Sequence, residues 1–387
     1  MGAYLNNAAT TFPKPPAVLA AVTRFLAQPP RDAGRSSGDA GISAVCRREL
    51  ADLFGLADAQ RVVLLPSATY ALNLVVQGLL SPGHVSGRLP VHAITTALEH
   101  NSLLRPLEHL RRKGTLELSF LHPEDDGRVH PEAVAAELRP NTRLIAITHA
   151  SNVTGWIQPV EEVASLVAGE DVAVLIDASQ SAGAVDLNYA ELPGRVFVAM
   201  AGHKGLFGPM GTGALLVPDA TLPQTIVGGT GVRSDSPLHP AELPLRHEAG
   251  TPNLPGIAGF TEGLRFVREQ TVAKLGSHRQ RLVRRLRAGL ADVPGVRLAP
   301  LPKEDGRAGI VAFTLSGWDA GDLGYTLMES FAIETRAGLH CAPRIHDVLD
   351  TLPDGNVRAS VAAFNTEGDI EQLIAAVKCL AEAPCAV

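Results

Sequence analysis

Between residues 60 and 217, short apolar runs alternate with stretches of helical periodicity. The runs are Val62–Leu65, Val91–Ile94, Leu116–Phe120, Leu144–Ile147, Val172–Ile176, Val196–Met200 and Ala214–Val217. Most are continuous in hydrophobicity, the pattern of strands covered on both faces in a mainly parallel sheet. Pro131–Leu138 and Pro159–Val167 lie between them as amphipathic helices, and the succession reads as α/β. After Val217 the texture changes. The stretch from Val227 to Pro255 is rich in Gly and Pro and reads as long irregular loops, functional or interfacial in kind. A helix is expected from about Ile257 towards Val293, broken near Gly276. Beyond it, Gly309–Leu315, Asp322–Phe331, Val357–Val361 and Asp369–Leu380 alternate as strands and helices.

Composition narrows the class. At 387 residues, 45% hydrophobic and 19% charged, the chain fits a soluble protein with one large and one small domain. Its formal charge of −6 offers no basic field for nucleic acid. The opening MGAYLNNAATTFPKPP lacks the basic and apolar segments of a signal peptide. Asn6 stands where N-myristoylation calls for Ser or Thr, and no apolar run is long enough to span a bilayer. Cys46, Cys341, Cys379 and Cys385 lack zinc-site spacing and suggest no disulfide framework. The expectation is a cytoplasmic protein with no metal and no membrane partner.

Polar residues at the ends of the apolar runs carry the chemistry. Lys204, in Gly202-His203-Lys204-Gly205, follows the run Val196–Met200, and ligand sites of open α/β sheets gather at such ends. An isolated lysine is ordinarily a solvated charge, but Asp177 closes another buried run. An acid there can keep a ring nitrogen protonated, as pyridoxal 5′-phosphate (PLP) requires, while a desolvated Lys amine can form an imine with its aldehyde. Pro66-Ser67-Ala68-Thr69 turns from a strand into a helix and offers N–H groups to a phosphate, or is simply an N-cap by Ser67 or Thr69. His100, in Glu99-His100-Asn101, caps the next helix or lies against a cofactor ring. Asn152 ends the run Leu144–Ile147, within reach of a cofactor's phenolic oxygen. Several strand ends thus carry groups suited to one heterocycle.

At these residues the chain resembles the fold type I, class V PLP enzymes, specifically the cysteine desulfurase and selenocysteine lyase family. The resemblance runs from Tyr4-Leu5-Asn6-Asn7-Ala8-Ala9-Thr10-Thr11 almost to the C-terminus. It rests on Glu99-His100-Asn101, Asp177-Ala178-Ser179-Gln180, Gly202-His203-Lys204, Glu248 through Asn253, and Arg336 through Ala342. The resemblance implies a PLP-dependent transferase fold of type I. Its large domain, 21–255, holds a mainly parallel seven-stranded sheet flanked by helices. A smaller α+β C-terminal domain, 256–387, carries the cysteine loop and is joined by an N-terminal segment, 1–20.

It further implies that Lys204 holds PLP as a Schiff base, Asp177 pairs with the pyridine nitrogen, Gln180 contacts the phenolic oxygen and His100 stacks on the ring. Ala68, Thr69 and His203 are expected at the phosphate, with Thr251 reaching in from the other subunit of a homodimer. Arg358 matches the arginine that takes the substrate carboxylate, with Asn152 and Arg336 close by. Cys341 matches the cysteine that takes sulfur from L-cysteine as a persulfide, releasing L-alanine. Arg336 and His340 are expected to favour its thiolate, and His100 to shuttle protons near the leaving sulfur. The short segment from Cys341 to Arg358 resembles the type II group, whose members pass sulfur to an acceptor protein. Ala201 departs from the family pattern, standing where a phosphate-binding Ser is frequent. Gly38-Asp39 replace a His-Arg pair, and Leu339 replaces a His. A selenocysteine lyase, a Cβ–S lyase or an aminotransferase on the same scaffold are the alternatives.

Overall fold

The computed structural model describes residues 2–29, 41–84, 90–233, 235–302 and 306–382. Gly38-Asp39 and Cys385 lie outside the described residues. The chain opens with strand β1 (Ala3–Tyr4) and helices α1 (Pro16–Leu26) and α2 (Ile42–Leu53). The seven expected strands then appear as β2 (Val62–Leu65), β3 (Val91–Thr96), β4 (Leu116–Leu121), β5 (Thr142–Thr148), β6 (Ala173–Asp177), β7 (Arg195–Ala201) and β8 (Gly213–Leu216). Helices α3 (Ala68–Leu80), α4 (Asn101–Arg112), α5 (Pro131–Glu137) and α6 (Val160–Leu166) lie between them.

These strands form one sheet in the order β2-β8-β7-β6-β5-β3-β4. Strand β8 is antiparallel to both neighbours, and the other pairs are parallel. The continuous hydrophobicity follows from burial on both faces. Val174 and Ile176 of β6 pack with Leu50, Val163 and Phe260 on one side, while Ala173 and Leu175 pack with Leu72, Val75, Leu103 and Leu107 on the other. The connections run over the sheet faces, so the carboxyl ends of β3, β5, β6 and β7 open on one rim.

The Gly- and Pro-rich stretch is irregular, apart from a 3-10 turn at Leu245–His247. Helices α7 (Leu254–Gln270) and α8 (Val272–Ala291) follow. The expected break at Gly276 is not there. The chain turns at Thr271, whose φ of 62° cannot continue a helix and whose Oγ1 accepts the Lys274 N–H at 3.3 Å to cap α8. Gly276 lies inside α8 for a packing reason: a Cβ there would sit 2.7 Å from the Ala184 carbonyl oxygen.

A second, antiparallel sheet has the order β12-β13-β10-β9, formed by β9 (Val296–Leu298), β10 (Ile310–Leu315), β12 (Arg336–Gly338) and β13 (Asn356–Ser360). Strand β11 (Ile333–Glu334) pairs in parallel with β1. Helices α9 (Ala320–Phe331), α10 (Ile345–Val348) and α11 (Glu367–Glu382) complete this region, whose core joins Leu5 to Leu282, Leu286, Phe313 and Leu373. Asn7 Nδ2 donates to the Ser360 carbonyl at 2.9 Å, so the N-terminal segment is fastened to the second sheet. Among the described residues, no helix is long and apolar enough to cross a membrane.

Candidate active site

The rim of the seven-stranded sheet holds a cleft of about 240 Å³. Most residues singled out from the sequence line it: Ala68, Thr69, His100, Asn152, Asp177, Gln180, Ala201, His203, Lys204, Arg336 and Arg358. The sheet topology brings them together. β5, β6 and β7 are adjacent parallel strands ending in Thr148, Asp177 and Ala201, so the residues after them emerge side by side.

The N-terminal segment pins the Lys204 loop. The His203 carbonyl accepts the Thr11 N–H at 3.2 Å and Lys14 Nζ at 2.7 Å, and the Lys204 carbonyl accepts the Thr11 hydroxyl at 3.0 Å. Burial pushes the Lys204 amine down to about 8 against the pull of Asp177, with Arg358 and Arg336 adding to the depression. Asp177 is buried, and its Oδ1 accepts the Ser179 N–H at 2.9 Å. Gln180 Nε2 donates to the Ala8 carbonyl at 2.9 Å, again tying the cleft to the N-terminal segment.

His100 both caps α4 and lines the cleft. Its Nδ1 accepts the Ser102 N–H at 3.0 Å, which places any ring proton of the neutral imidazole on Nε2. Burial, then the Lys204 charge, holds its pKa at about 4. Ser102, not singled out from the sequence, is the link: its Oγ lies 2.8 Å from both His100 Nδ1 and Thr69 Oγ1. Its position in the first turn after the cap residue was the available signal. The N-cap of α3 is Ser67, whose Oγ accepts the Tyr70 N–H at 3.2 Å, leaving Thr69 in the first turn.

The second sheet contributes the cationic wall. β12 and β13 pair with Arg336 directly opposite Arg358. Arg358 is buried; Nη1 donates to the Asn152 carbonyl at 2.9 Å, and Nη2 to Asn6 Oδ1 at 3.4 Å. Its Nε finds no partner, and burial lowers its pKa to about 9. Arg336 Nη2 lies 3.1 Å from Cys341 Sγ. His340 and Cys341 both take positive φ, 50° and 60°, and are held by Asn152 Nδ2 donating to the His340 carbonyl at 2.8 Å and the Asn101 N–H donating to the Cys341 carbonyl at 2.7 Å.

One expectation changes here. His340 does not act as a cation beside Cys341: burial, then Arg358, drives its pKa to about 3, and its Nε2 donates to Asn356 Oδ1 at 2.9 Å. Arg336 is the positive group at the sulfur. Asn152 lines the cleft as expected of a site residue and also donates one amide N–H to the His340 carbonyl, which joins the Cys341 segment to the end of β5. Thr251 does not line this cleft. It borders a separate cavity of about 210 Å³ with Leu65, Pro66 and Tyr70.

A mainly parallel sheet with a lysine and an acid at its carboxyl rim, closed by a smaller antiparallel sheet, is the PLP-dependent transferase fold of type I. Residues 3–373 match the aminotransferase class-V family, and the chain belongs to it. A cysteine desulfurase of Salmonella dublin is 32% identical over 388 residues, covering 96% of this chain and 92% of the relative. A protein of Mycolicibacterium paratuberculosis is 30% identical over 98% of this chain, which spans 55% of that curated relative's length. Among solved structures, the apo cysteine desulfurase of Thermococcus onnurineus superposes with a TM-score of 0.88 at 28% identity, covering 98% and 95% of the two chains. The cysteine desulfurase CsdA of Escherichia coli, in an S-sulfonic acid form, gives 0.83 at 25% identity, covering 98% and 94%.

Proposed function

We propose that the chain is a PLP-dependent cysteine desulfurase that converts L-cysteine to L-alanine and carries the sulfur on Cys341 as a persulfide. The observation that supports this reading is the Arg336–Cys341 contact: Arg336 lines the Lys204 cleft opposite Arg358, and Cys341, which is not itself among the lining residues, touches it through Sγ.

The residues fit the cofactor. Lys204 supplies an amine that burial keeps easy to deprotonate, and Asp177 an acid for the pyridine nitrogen. The N-terminal turn of α3 at Ala68 and Thr69, with the otherwise unpartnered Nδ1 of His203, suits the phosphate. When bound, PLP withdraws electrons from the substrate's α-carbon. Arg358 holds the substrate carboxylate with Asn152 nearby, and Lys204 moves the proton at the α-carbon. Cys341, as thiolate, attacks the substrate sulfur. The S–S bond forms as the Cβ–S bond breaks, and the electron pair left at Cβ takes a proton to become the methyl group of alanine. No external oxidant is needed. His100, which lines the cleft and carries its ring proton on Nε2, is the proton shuttle of this reading near the transferred sulfur.

The same reading includes a homodimer in which Thr251 reaches the partner's cleft, a protein acceptor for the sulfur, a cytoplasmic location, and two domains that meet near residue 255, at the start of α7. The test is product analysis with L-cysteine: alanine and a protein persulfide are expected, and pyruvate as the main product would rule the reading out. In Cys341→Ser the cofactor's visible absorbance is expected to persist while persulfide disappears.

A further inference from the structure

Glu99 is fully buried beside His100, and no step above uses it. Its Oε1 accepts the Thr96 hydroxyl at 2.7 Å and the Thr148 N–H at 2.9 Å. Those bonds span a fork in the sheet. The β3–β5 pairing ends at Ile94 and Ile145, whereas β5 continues beside β6 to Thr148 and Asp177. Past that point, the Thr95 hydroxyl on the Ala146 carbonyl and the Glu99 carboxyl hold the two strand ends together. The connection extends to Asp177 through the Thr148 hydroxyl, which donates to the Ala150 carbonyl at 3.0 Å and reaches the Asp177 carbonyl at 3.4 Å. The His149 N–H donates to the same Asp177 carbonyl at 3.0 Å.

The other oxygen, Oε2, is buried with no hydrogen-bond partner, and no ion pair joins Glu99 to a cation among the described residues. An ionised carboxylate in that setting would be desolvated and would face Asp177, a second acid. A neutral carboxylic acid still accepts both bonds at Oε1 and keeps its proton on Oε2. Burial, more than Asp177, accordingly raises the Glu99 pKa to about 8.

We infer that Glu99 is a positioning residue, a neutral carboxylic acid that clamps the diverging ends of β3 and β5 and thereby fixes His100 relative to Asp177. The inference rests on reading the cleft as the cofactor site, but its charge state and clamp are testable without cofactor. In the apo protein at neutral pH, the infrared difference between wild type and Glu99→Gln is expected to show a protonated carboxyl band; a carboxylate band in its place overturns the inference. Glu99→Gln keeps an Oε1 acceptor and a neutral, donor-bearing second atom. In the PLP-loaded enzyme its kcat for alanine formation and the pH profile of the cofactor's visible band are expected to match wild type. Glu99→Ala strands Thr96 and Thr148, and its kcat is expected to fall about tenfold or more at nearly unchanged KM. A Glu99→Gln variant as impaired as Glu99→Ala, or a Glu99→Ala variant equal to wild type, overturns the clamp. If Glu99→Ala fails to fold, the infrared spectrum and the Glu99→Gln rates still decide. A wild type that takes no PLP sinks the cofactor reading and leaves the infrared test standing.

Discussion

Arg358 is a cation buried in the second sheet, and no carboxylate among the described residues pairs with it. A buried charge in that state costs stability unless a ligand completes it. Arg358→Met is therefore expected to lower kcat/KM for L-cysteine about 100-fold while leaving the thermal midpoint of the apo protein unchanged or higher. Arg358→Lys is expected not to restore activity, because a point charge cannot reproduce the fork; recovery in steady-state kinetics would refute the carboxylate role. Lys204 gives the pH dependence. Its amine titrates at about 8 in the folded protein, below its ordinary 10.5, mainly through burial. Between those values the unfolded chain holds the extra proton, so the apo protein gains stability as pH rises through the window. The melting-temperature gap between apo Lys204→Met and apo wild type should then narrow from pH 8 to 10.5. Capture of PLP, followed by its visible band, should accelerate as pH rises through about 8, since only the neutral amine attacks.

Helices and strands place these groups through pairing and close approach. The β12–β13 register sets Arg336 opposite Arg358, a like-charged pair at the edge of the cleft. The turn between α7 and α8 puts two residues in the reverse of their usual roles. Thr271 sits at positive φ, where a β-branched residue is strained, and Gly276 fills a helix interior. Thr271→Gly is expected to stabilise the protein by about 1 kcal/mol, the strain relieved exceeding the capping lost. Gly276→Ala is expected to destabilise it, although the same change in an open helix gains about 1 kcal/mol, because the new Cβ meets the Ala184 carbonyl. Chemical denaturation of the two variants checks both signs, and a stabilised Gly276→Ala would mean that α8 does not press on that loop.

At the scale of the whole molecule, the cleft is assembled from three stretches far apart in sequence: the sheet rim, the β12–β13 hairpin region and the N-terminal segment. The Thr10 hydroxyl donating to the His203 carbonyl, the Thr11 hydroxyl to the Lys204 carbonyl, and Arg358 Nη2 to Asn6 Oδ1 bind the first residues to both sheets. Thr251 faces a different cavity, as a residue serving a partner's cleft would. Sedimentation is expected to give a dimer, and Thr251→Val to weaken PLP retention about tenfold with unchanged secondary structure. A monomer with full cofactor affinity would contradict the shared site.

The sequence by itself determined the seven strands, because burial on both faces leaves a run of apolar residues that needs no partner to be read. It also singled out Lys204, Asp177 and His100 as candidates, since each follows or closes an apolar run, whereas Arg358 and Cys341 stood out only through the family resemblance. Only the tertiary structure decided what depends on distance and desolvation. It made His340 neutral by burying it, gave Asn152 to the His340 carbonyl, and used Ser102 to join Thr69 to His100. It placed the helix break at Thr271, whose φ of 62° ends α7, and kept Gly276 inside α8 against the carbonyl of Ala184 in the loop after β6. It also buried Glu99 across a fork between strands that no spacing along the chain reveals.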